Sequence, residues 1–404
     1  MRCQVCFSDK LYRFLDLGNH PPCIFLNEAQ FNAEMSYPLH CHYCSACGLV
    51  QLGHLVDPKV LFTDDYHHIA ALSESFKAHM RSLAAESAKK FQLTSNDLVV
   101  EIGSNDGALL EAFLPYKVKI LGVDPSDVAK IALEKGLPTV REFFDEKLAI
   151  NIAREHGQAT LIAALNTFAH VSALDSFLRG IRHLLTDSGV FVSESHYVLN
   201  LISELQYDFI YHEHSRYYSM RHLIDLLGRF EMDVFDVERI PTHSGSIRVY
   251  ACKKGVYPIS KSVSSLLQQE EDFGLSNAET YRKFAARVEK HRRSLLDLLH
   301  GIRAEGQRIM GLTFPARAVT LLNFCQIGPD ILECITERSS LKIGRFSPGT
   351  HIKVVDEAVL FGSNQPDYGL LLSWHIQKEI IPKFRAKGFK GKFIVPLPAP
   401  TIVE

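Results

Sequence analysis

From Leu98 onward the chain alternates short apolar runs with helix-like stretches, and this alternation restricts the fold more than any other feature. Leu98-Val99-Val100-Glu101-Ile102 reads as a first strand, and Ala108 to Phe113 opens a helix. Val118 to Val123 is the next strand and Ser126 to Lys135 the next helix. Leu161 to Leu165 and Gly189 to Glu194 follow as strands, with a helix from about Ala173 to Leu185 between them. Strands that are apolar on both faces need cover on both sides, so a mostly parallel sheet sandwiched by helices is expected.

The flanking segments differ. Ser73 to Phe91 reads as a helix with Phe76, Met80, Leu83, Ala84 and Phe91 on one stripe. Residues 256–275 are rich in Ser, Gln and Glu and read as a linker or lid, and Asn277 to about Arg303 as one long helix. Arg308 to Gly311, Glu333 to Thr336 and Tyr368 to Ser373 read as strands of a second α/β unit, with Lys392 to Pro398 as its edge strand. A chain of 404 residues exceeds one ordinary core. The expected division is a small cysteine-rich domain at 1–75, a ligand-binding α/β domain at 76–255 and a second α/β domain at 256–404.

Six of the nine cysteines lie before Gly48. Cys3-x-x-Cys6 and Cys44-x-x-Cys47 can place four thiolates on one tetrahedral zinc ion, and a long loop between the pairs is tolerated because closure entropy grows slowly. A four-cysteine site leaves no open position, so the zinc is read as structural. Cys41-x-x-Cys44 has the same spacing; Cys44 and Cys47 are preferred because Gly48 follows. A redox reading is disfavoured because no thioredoxin-like βαβ pattern surrounds either pair. Cys23, after two prolines, is read as a packing residue.

The formal net charge of −2 gives no bulk attraction for a polyanion, so nucleic acid is not the expected partner. No run approaches the roughly 20 apolar residues of a membrane span. Met1-Arg2-Cys3-Gln4-Val5-Cys6 is not a signal peptide, so a cytoplasmic protein is expected. A monomer is the expected state.

The loop after the first strand reads Glu101-Ile102-Gly103-Ser104-Asn105-Asp106-Gly107. Its glycines permit a tight turn and close approach of a ligand. Asp124, at the end of the second strand, can accept hydrogen bonds from both hydroxyls of a ribose. The E-x-G-x-x-x-G spacing is not the G-x-G-x-x-G of nicotinamide dinucleotide enzymes. It resembles the class I S-adenosylmethionine methyltransferases. Asn166 then falls at the rim of the cofactor pocket, and Phe143 or Phe144 either covers the adenine or belongs to the core.

Phe209-Ile210-Tyr211-His212-Glu213-His214-Ser215-Arg216-Tyr217-Tyr218-Ser219 crowds acids, bases and phenols into one loop. A histidine beside a glutamate supplies a base that can be tuned near neutrality. A metal site is disfavoured, since His212 and His214 share a face of an extended segment but Glu213 points away and no third ligand is near. A solvated loop without function is the bland alternative.

With these motifs, the chain resembles the sugar C-methyltransferase family, whose members methylate C3 of nucleotide-linked 4-keto deoxysugars. The resemblance spans nearly the whole chain. It rests on the paired CxxC start with Cys44 to Leu52, Val100 to Gly107, Tyr211 to Ser219 and Thr242 to Ser246. Ser347 to His351, Pro366 to Tyr368 and Gly391 to Pro398 extend it. It implies a structural zinc domain, a central class I methyltransferase domain of Rossmann-like form, and a C-terminal Rossmann-like domain that helps hold the sugar nucleotide. It implies that His214 removes the C3 proton, with Tyr211, Glu213, His170 and Tyr66 as active-site polar residues. Glu213 is expected to orient or charge the imidazole.

One stretch departs from the family. Its glycine-rich turn with a lysine is replaced by Gly311-Leu312-Thr313-Phe314-Pro315-Ala316-Arg317-Ala318, in which Arg317 is the candidate substitute for the lysine charge. The segment 336–342 is altered as well. The rival readings are a methyltransferase acting on a non-sugar ketone or enol, a non-catalytic protein that kept the fold, and a nicotinamide oxidoreductase.

Overall fold

The computed structural model describes residues 1–61 and 74–404. The expected three-part α/β architecture is observed, and each part is built on its own sheet.

The first sheet begins with β1 (Leu11–His20), β2 (Tyr37–Cys44) and β3 (Val50–Leu52), all antiparallel, followed by the short helix α1 (Pro58–Leu61). β1 and β2 pair with two register irregularities, which break the strict in–out alternation.

The second sheet follows the helix α2 (Glu74–Lys90). Its elements run β4 (Leu98–Ile102), α3 (Ala108–Phe113), β5 (Lys119–Val123), α4 (Ala129–Glu134), β6 (Thr139–Val140), α5 (Glu146–His156), β7 (Ala159–Leu165), α6 (Leu174–Leu184), β8 (Leu185–His196) and α7 (Val198–Ser203). The two-residue strand β9 (Arg216–Tyr217) leaves this sheet and joins the first one beside β3. Helix α8 (Met220–Gly228) leads back to β10 (Met232–Ile240) and β11 (Ser246–Lys253). The strand order is β10-β11-β8-β7-β4-β5-β6, with β4 to β8 parallel and β11 antiparallel to both neighbours. The order reverses at β4, so a crevice opens at its C-terminal end, where open α/β sheets bind ligands. Both faces are covered, as the apolar runs required. Val99, Leu161, Ala163, Val190 and Val192 pack with Met80, Leu83 and Ala84 of α2. Val100, Ile162, Ala164 and Phe191 pack into the main core with Ile152, Phe177 and Ile181 of α5 and α6.

The Ser/Gln/Glu-rich segment at 256–275 is neither linker nor lid. It forms helix α9 (Lys261–Phe273), which buries Val263, Leu266 and Glu270. Glu270 accepts hydrogen bonds from the Tyr197 hydroxyl (2.7 Å) and from the amides of Met220 (2.5 Å) and Arg221 (3.1 Å), capping α8. Helix α10 (Ala278–Ala304) lies against β1, with Tyr281 packed on Phe14 and Tyr43. The third sheet holds β12 (Ile309–Leu312), then helix α11 (Ala318–Cys325), β13 (Ile335–Glu337), β14 (Val354–Asp356), β15 (Tyr368–Leu371), helix α12 (Gln377–Ala386), β16 (Lys392–Val395) and β17 (Thr401–Val403). Its order is β14-β13-β12-β15-β16-β17. Lys392–Val395 is therefore not the edge, because Thr401–Val403 pairs antiparallel outside it. Among the described residues no helix is long and apolar enough to cross a membrane.

Candidate active site

The glycine turn sits at the end of β4. Gly103 and Gly107 both have left-handed backbone, with φ of 76° and 81°. A Cβ at Gly103 would lie 2.1 Å from Thr167 Oγ1, so this turn touches the segment that follows β7. Gly122 lets it lie flat on β5, since a Cβ there would meet Ser104 Oγ at 2.5 Å. Asp124 Oδ2 accepts the Asn105 amide (2.9 Å), and Oδ1 accepts the amide and hydroxyl of Ser126 (2.8 and 2.5 Å). Ser126 escaped the sequence reading, although Asp-x-Ser is a recognisable turn signal.

Glu101, Asp106 and Asp124 converge and are buried. Burial, aided by the charges of Asp124 and Asp106, raises the Glu101 carboxyl well above the usual range. Glu101 Oε2 is enclosed with no hydrogen-bond partner among the described residues. Such an acid-rich turn repels a pyrophosphate and suits a ligand bearing cationic groups. This donor set fits S-adenosylmethionine, with its ammonium and sulfonium, better than a dinucleotide. Asn166 ends β7 with φ 54°, and its amide bonds the Glu194 carbonyl at 2.8 Å. Phe144 packs edge-on against Phe177 as core, while Phe143 is 57% exposed.

The histidine-rich loop folds onto the segment after β7. The Ser215 hydroxyl donates to the Ala169 carbonyl (2.7 Å), the Tyr218 hydroxyl to the Phe168 carbonyl (3.3 Å), and the Arg216 guanidinium to the Val171 carbonyl. As a result the rings of His170 and His214 meet edge to face, 5.0 Å apart. The Tyr211 hydroxyl is 2.9 Å from His214 Nε2. The glycine turn, Thr167, His170 and His214 thus form one continuous chain of contacts. Tyr66 lies outside the described residues.

Among the described residues no hydrogen bond joins Glu213 to His214. Its carboxyl lines a small cavity with His20, Cys23, Ala316 and Thr320, where the three parts of the molecule meet, and burial pushes it up to about 7. The His214 imidazole is hydrogen-bonded to Tyr211. A side chain next to His214 in sequence has its own direction in a turn, and spacing alone did not reveal it. His212 Nε2 is bound to the His20 carbonyl (2.9 Å) and is a buried structural residue.

The zinc pairs come together. Cys3 and Cys47 sulfurs are 3.6 Å apart, as are those of Cys6 and Cys44, and all four ligand atoms lie within 4.8 Å of one another. Tetrahedral zinc with bonds of 2.3 Å sets sulfurs about 3.8 Å apart, so the four thiols fit that ion. Cys41 is fully buried within β2 and stands outside the cluster. The cluster borders the histidine-rich loop: His222 Nδ1 is 3.0 Å from the Cys47 carbonyl, the Leu52 amide donates to the Ser215 carbonyl (2.9 Å), and β3 pairs with β9.

Strand order, antiparallel β11 and the acid-lined glycine turn define the class as a methyltransferase of Rossmann-like form. The comparisons agree. Sequence profiles match at residues 3–62 (zinc binding domain), 76–236 (methyltransferase domain) and 241–398 (C-methyltransferase C-terminal domain). The C-methyltransferase NovU of Streptomyces niveus is 33% identical over 409 aligned positions, covering 100% of this chain and 96% of that protein. The chain belongs to the C-methyltransferase family. Among solved structures, an S-adenosylmethionine-dependent methyltransferase from Clostridium acetobutylicum matches with 14% identity and a TM-score of 0.35, covering 46% of this chain and 94% of that one. Magnesium protoporphyrin IX methyltransferase from Synechocystis, with bound S-adenosylhomocysteine, matches with 13% identity and a TM-score of 0.36, covering 46% and 91%.

Proposed function

We propose that this enzyme methylates C3 of a nucleotide-linked 4-keto deoxysugar, with S-adenosylmethionine as the methyl donor. The observation that carries the reading is the contact chain from the acid-lined glycine turn to the paired rings of His170 and His214. When bound, S-adenosylmethionine supplies an electrophilic methyl group on a sulfonium. Glu101, Gly103, Ser104, Asn105, Asp106, Gly107, Asp124 and Asn166 hold it. A ketone at C4 acidifies the neighbouring C–H, and the His214 imidazole takes that proton. Tyr211, hydrogen-bonded to Nε2, orients the ring. His170 faces the same space and stabilises the enolate oxygen, with Tyr66 as its companion. The C3 carbanion takes the methyl group as the S–CH3 bond breaks with its electron pair left on sulfur, the ketone is restored, and the proton on His214 passes to solvent. In this reading the chain acts as a monomer in the cytoplasm, where its thiols are reduced and hold zinc.

A screen of nucleotide-linked 4-keto sugars with isotopically labelled S-adenosylmethionine, read by mass, tests the substrate. His214→Ala is expected to cut C3 proton exchange with solvent by about 10²- to 10⁴-fold while leaving cofactor affinity within about twofold. Retained exchange would remove His214 as the base. A second reading, methylation of a non-sugar ketone or enol, draws support from the turn at 311–318, where Phe314 and Arg317 are both buried. The same screen, with free ketones included, decides between them.

A further inference from the structure

At the end of β12 the third sheet also reverses its strand order, with β13 on one side and β15 on the other. Backbone amides and cations at such a point ordinarily meet a ligand. Here acceptors of the protein itself take them up. The Phe314 amide donates to Glu337 Oε2 (3.1 Å), and Glu337 Oε1 accepts the amides of Arg338 (2.7 Å) and Ser339 (3.3 Å). Lys342 Nζ reaches the Phe314 carbonyl (2.9 Å). The Glu337 carboxylate occupies the place an anion would take.

Arg317, the substitute for a phosphate-facing lysine in the sequence reading, has turned inward. Its side chain is 3% exposed, and Nε donates to Asp208 Oδ2 at 2.7 Å. The same oxygen accepts Trp374 Nε1 at 2.8 Å. The guanidinium lies 3.7 Å from the centre of the Phe209 ring and 4.6 Å from that of Trp374. Asp208 and Phe209 lead directly into the histidine-rich loop, and Thr320 on α11 donates to the Ile210 carbonyl (2.7 Å). The Phe209 ring lies nearly parallel to His214, at 6.5 Å and 16°. A buried ion pair adds little net stability over an apolar pair of the same shape, but it fixes geometry, because either partner left alone is strongly penalised.

We infer that Arg317 is a positioning residue: through Asp208 and Phe209 the C-terminal domain clamps the loop that carries His214, and this turn does not grip an anionic group. The inference rests on the proposed role of His214 only for its effect on turnover. Arg317 Nη1 has no hydrogen-bond partner among the described residues, so contact with substrate is the competing use of this side chain.

The test uses the full chain with Arg317→Lys, which keeps charge but not the planar stack. A second variant, Asp208→Asn with Arg317→Gln, keeps the buried site neutral if the single change fails to fold. Amide exchange in 209–215 is expected to speed up at least about tenfold, with 98–107 unchanged within about twofold. The fluorescence of Trp374, the one tryptophan in the chain, is expected to shift to the red. On whichever substrate the screen identifies, kcat should fall about tenfold or more with KM within about twofold. Unchanged loop exchange and fluorescence, or a rise in KM of more than about tenfold at constant kcat, would overturn the clamp. Exchange and fluorescence need no substrate, so they report on the clamp even if His214→Ala retains activity and the base assignment fails.

Discussion

The turns at 101–107 and 311–318 occupy equivalent positions, each after the first strand of a sheet whose order reverses there. In the first, two left-handed glycines make the bend, and an enclosed carboxylate oxygen of Glu101 has no partner among the described residues. In the second, the bend passes through Thr313 at φ 64°, Phe314 fills the space against Phe25, and Glu337 takes up the amides. The topology is shared and the chemistry is not. A topological switch point makes a crevice, but it becomes a binding site only where its polar groups are left for a ligand to satisfy.

Three experiments sharpen or break that contrast. The largest difference is expected between Gly103→Ala and Gly311→Ala. The first forces a Cβ to 2.1 Å from Thr167 Oγ1 on left-handed backbone, whereas the second meets Ile335 Cγ1 at 2.9 Å on ordinary strand backbone. Calorimetry should record loss of S-adenosylmethionine affinity by about 100-fold or more for Gly103→Ala. Gly311→Ala should bind normally and lose about 1–2 kcal/mol of stability in denaturant titration. Equal effects on affinity would abolish the contrast.

Glu101→Gln and Glu337→Gln form the second pair. A cationic ligand favours the ionised form of Glu101, whose carboxyl is held well above its ordinary 4.5, so binding releases a proton. Affinity should therefore climb as pH rises above 4.5, and Glu101→Gln should flatten that slope and weaken binding about tenfold at neutral pH. Glu337→Gln should leave affinity untouched and cost about 1 kcal/mol of stability, through weaker hydrogen bonds to its amides.

The smallest effect concerns Glu213, half-buried at the junction of the three domains. Its carboxyl is raised from 4.5 to about 7, so the folded state holds its proton more tightly than the unfolded chain does. Stability is accordingly expected to fall as pH rises from 4.5 to about 7 and then to level off. Glu213→Gln should remove that slope and stabilise the protein at pH 8 by about 1 kcal/mol, after allowance for partial exposure. A slope that persists in the variant would assign it to another group.

Apolar runs on both sides of short helices made β4, β5, β7 and β8 readable, because strands buried on two faces tolerate little else, whereas the two-residue β6 left no such run. The zinc knuckles were readable from spacing, and the structure chose Cys44 and Cys47 over Cys41 by facing Cys41 into the core. Helix α9 was missed because it shows mostly polar residues and buries only Val263, Leu266 and Glu270. The pairing of β9 with β3 was missed because two residues carry no detectable period.

Composition and spacing therefore marked the strands β4, β5, β7 and β8 with the helices between them, the two cysteine pairs that cluster, the glycine turn and the loop that holds His214. They could do so because periodicity and tight turns are local properties of the chain. The tertiary structure alone decided where Glu213 points, which ring meets His214, and that Arg317 binds Asp208 across 109 residues. Those choices depend on desolvation and contact between segments far apart in sequence, and no local pattern records them.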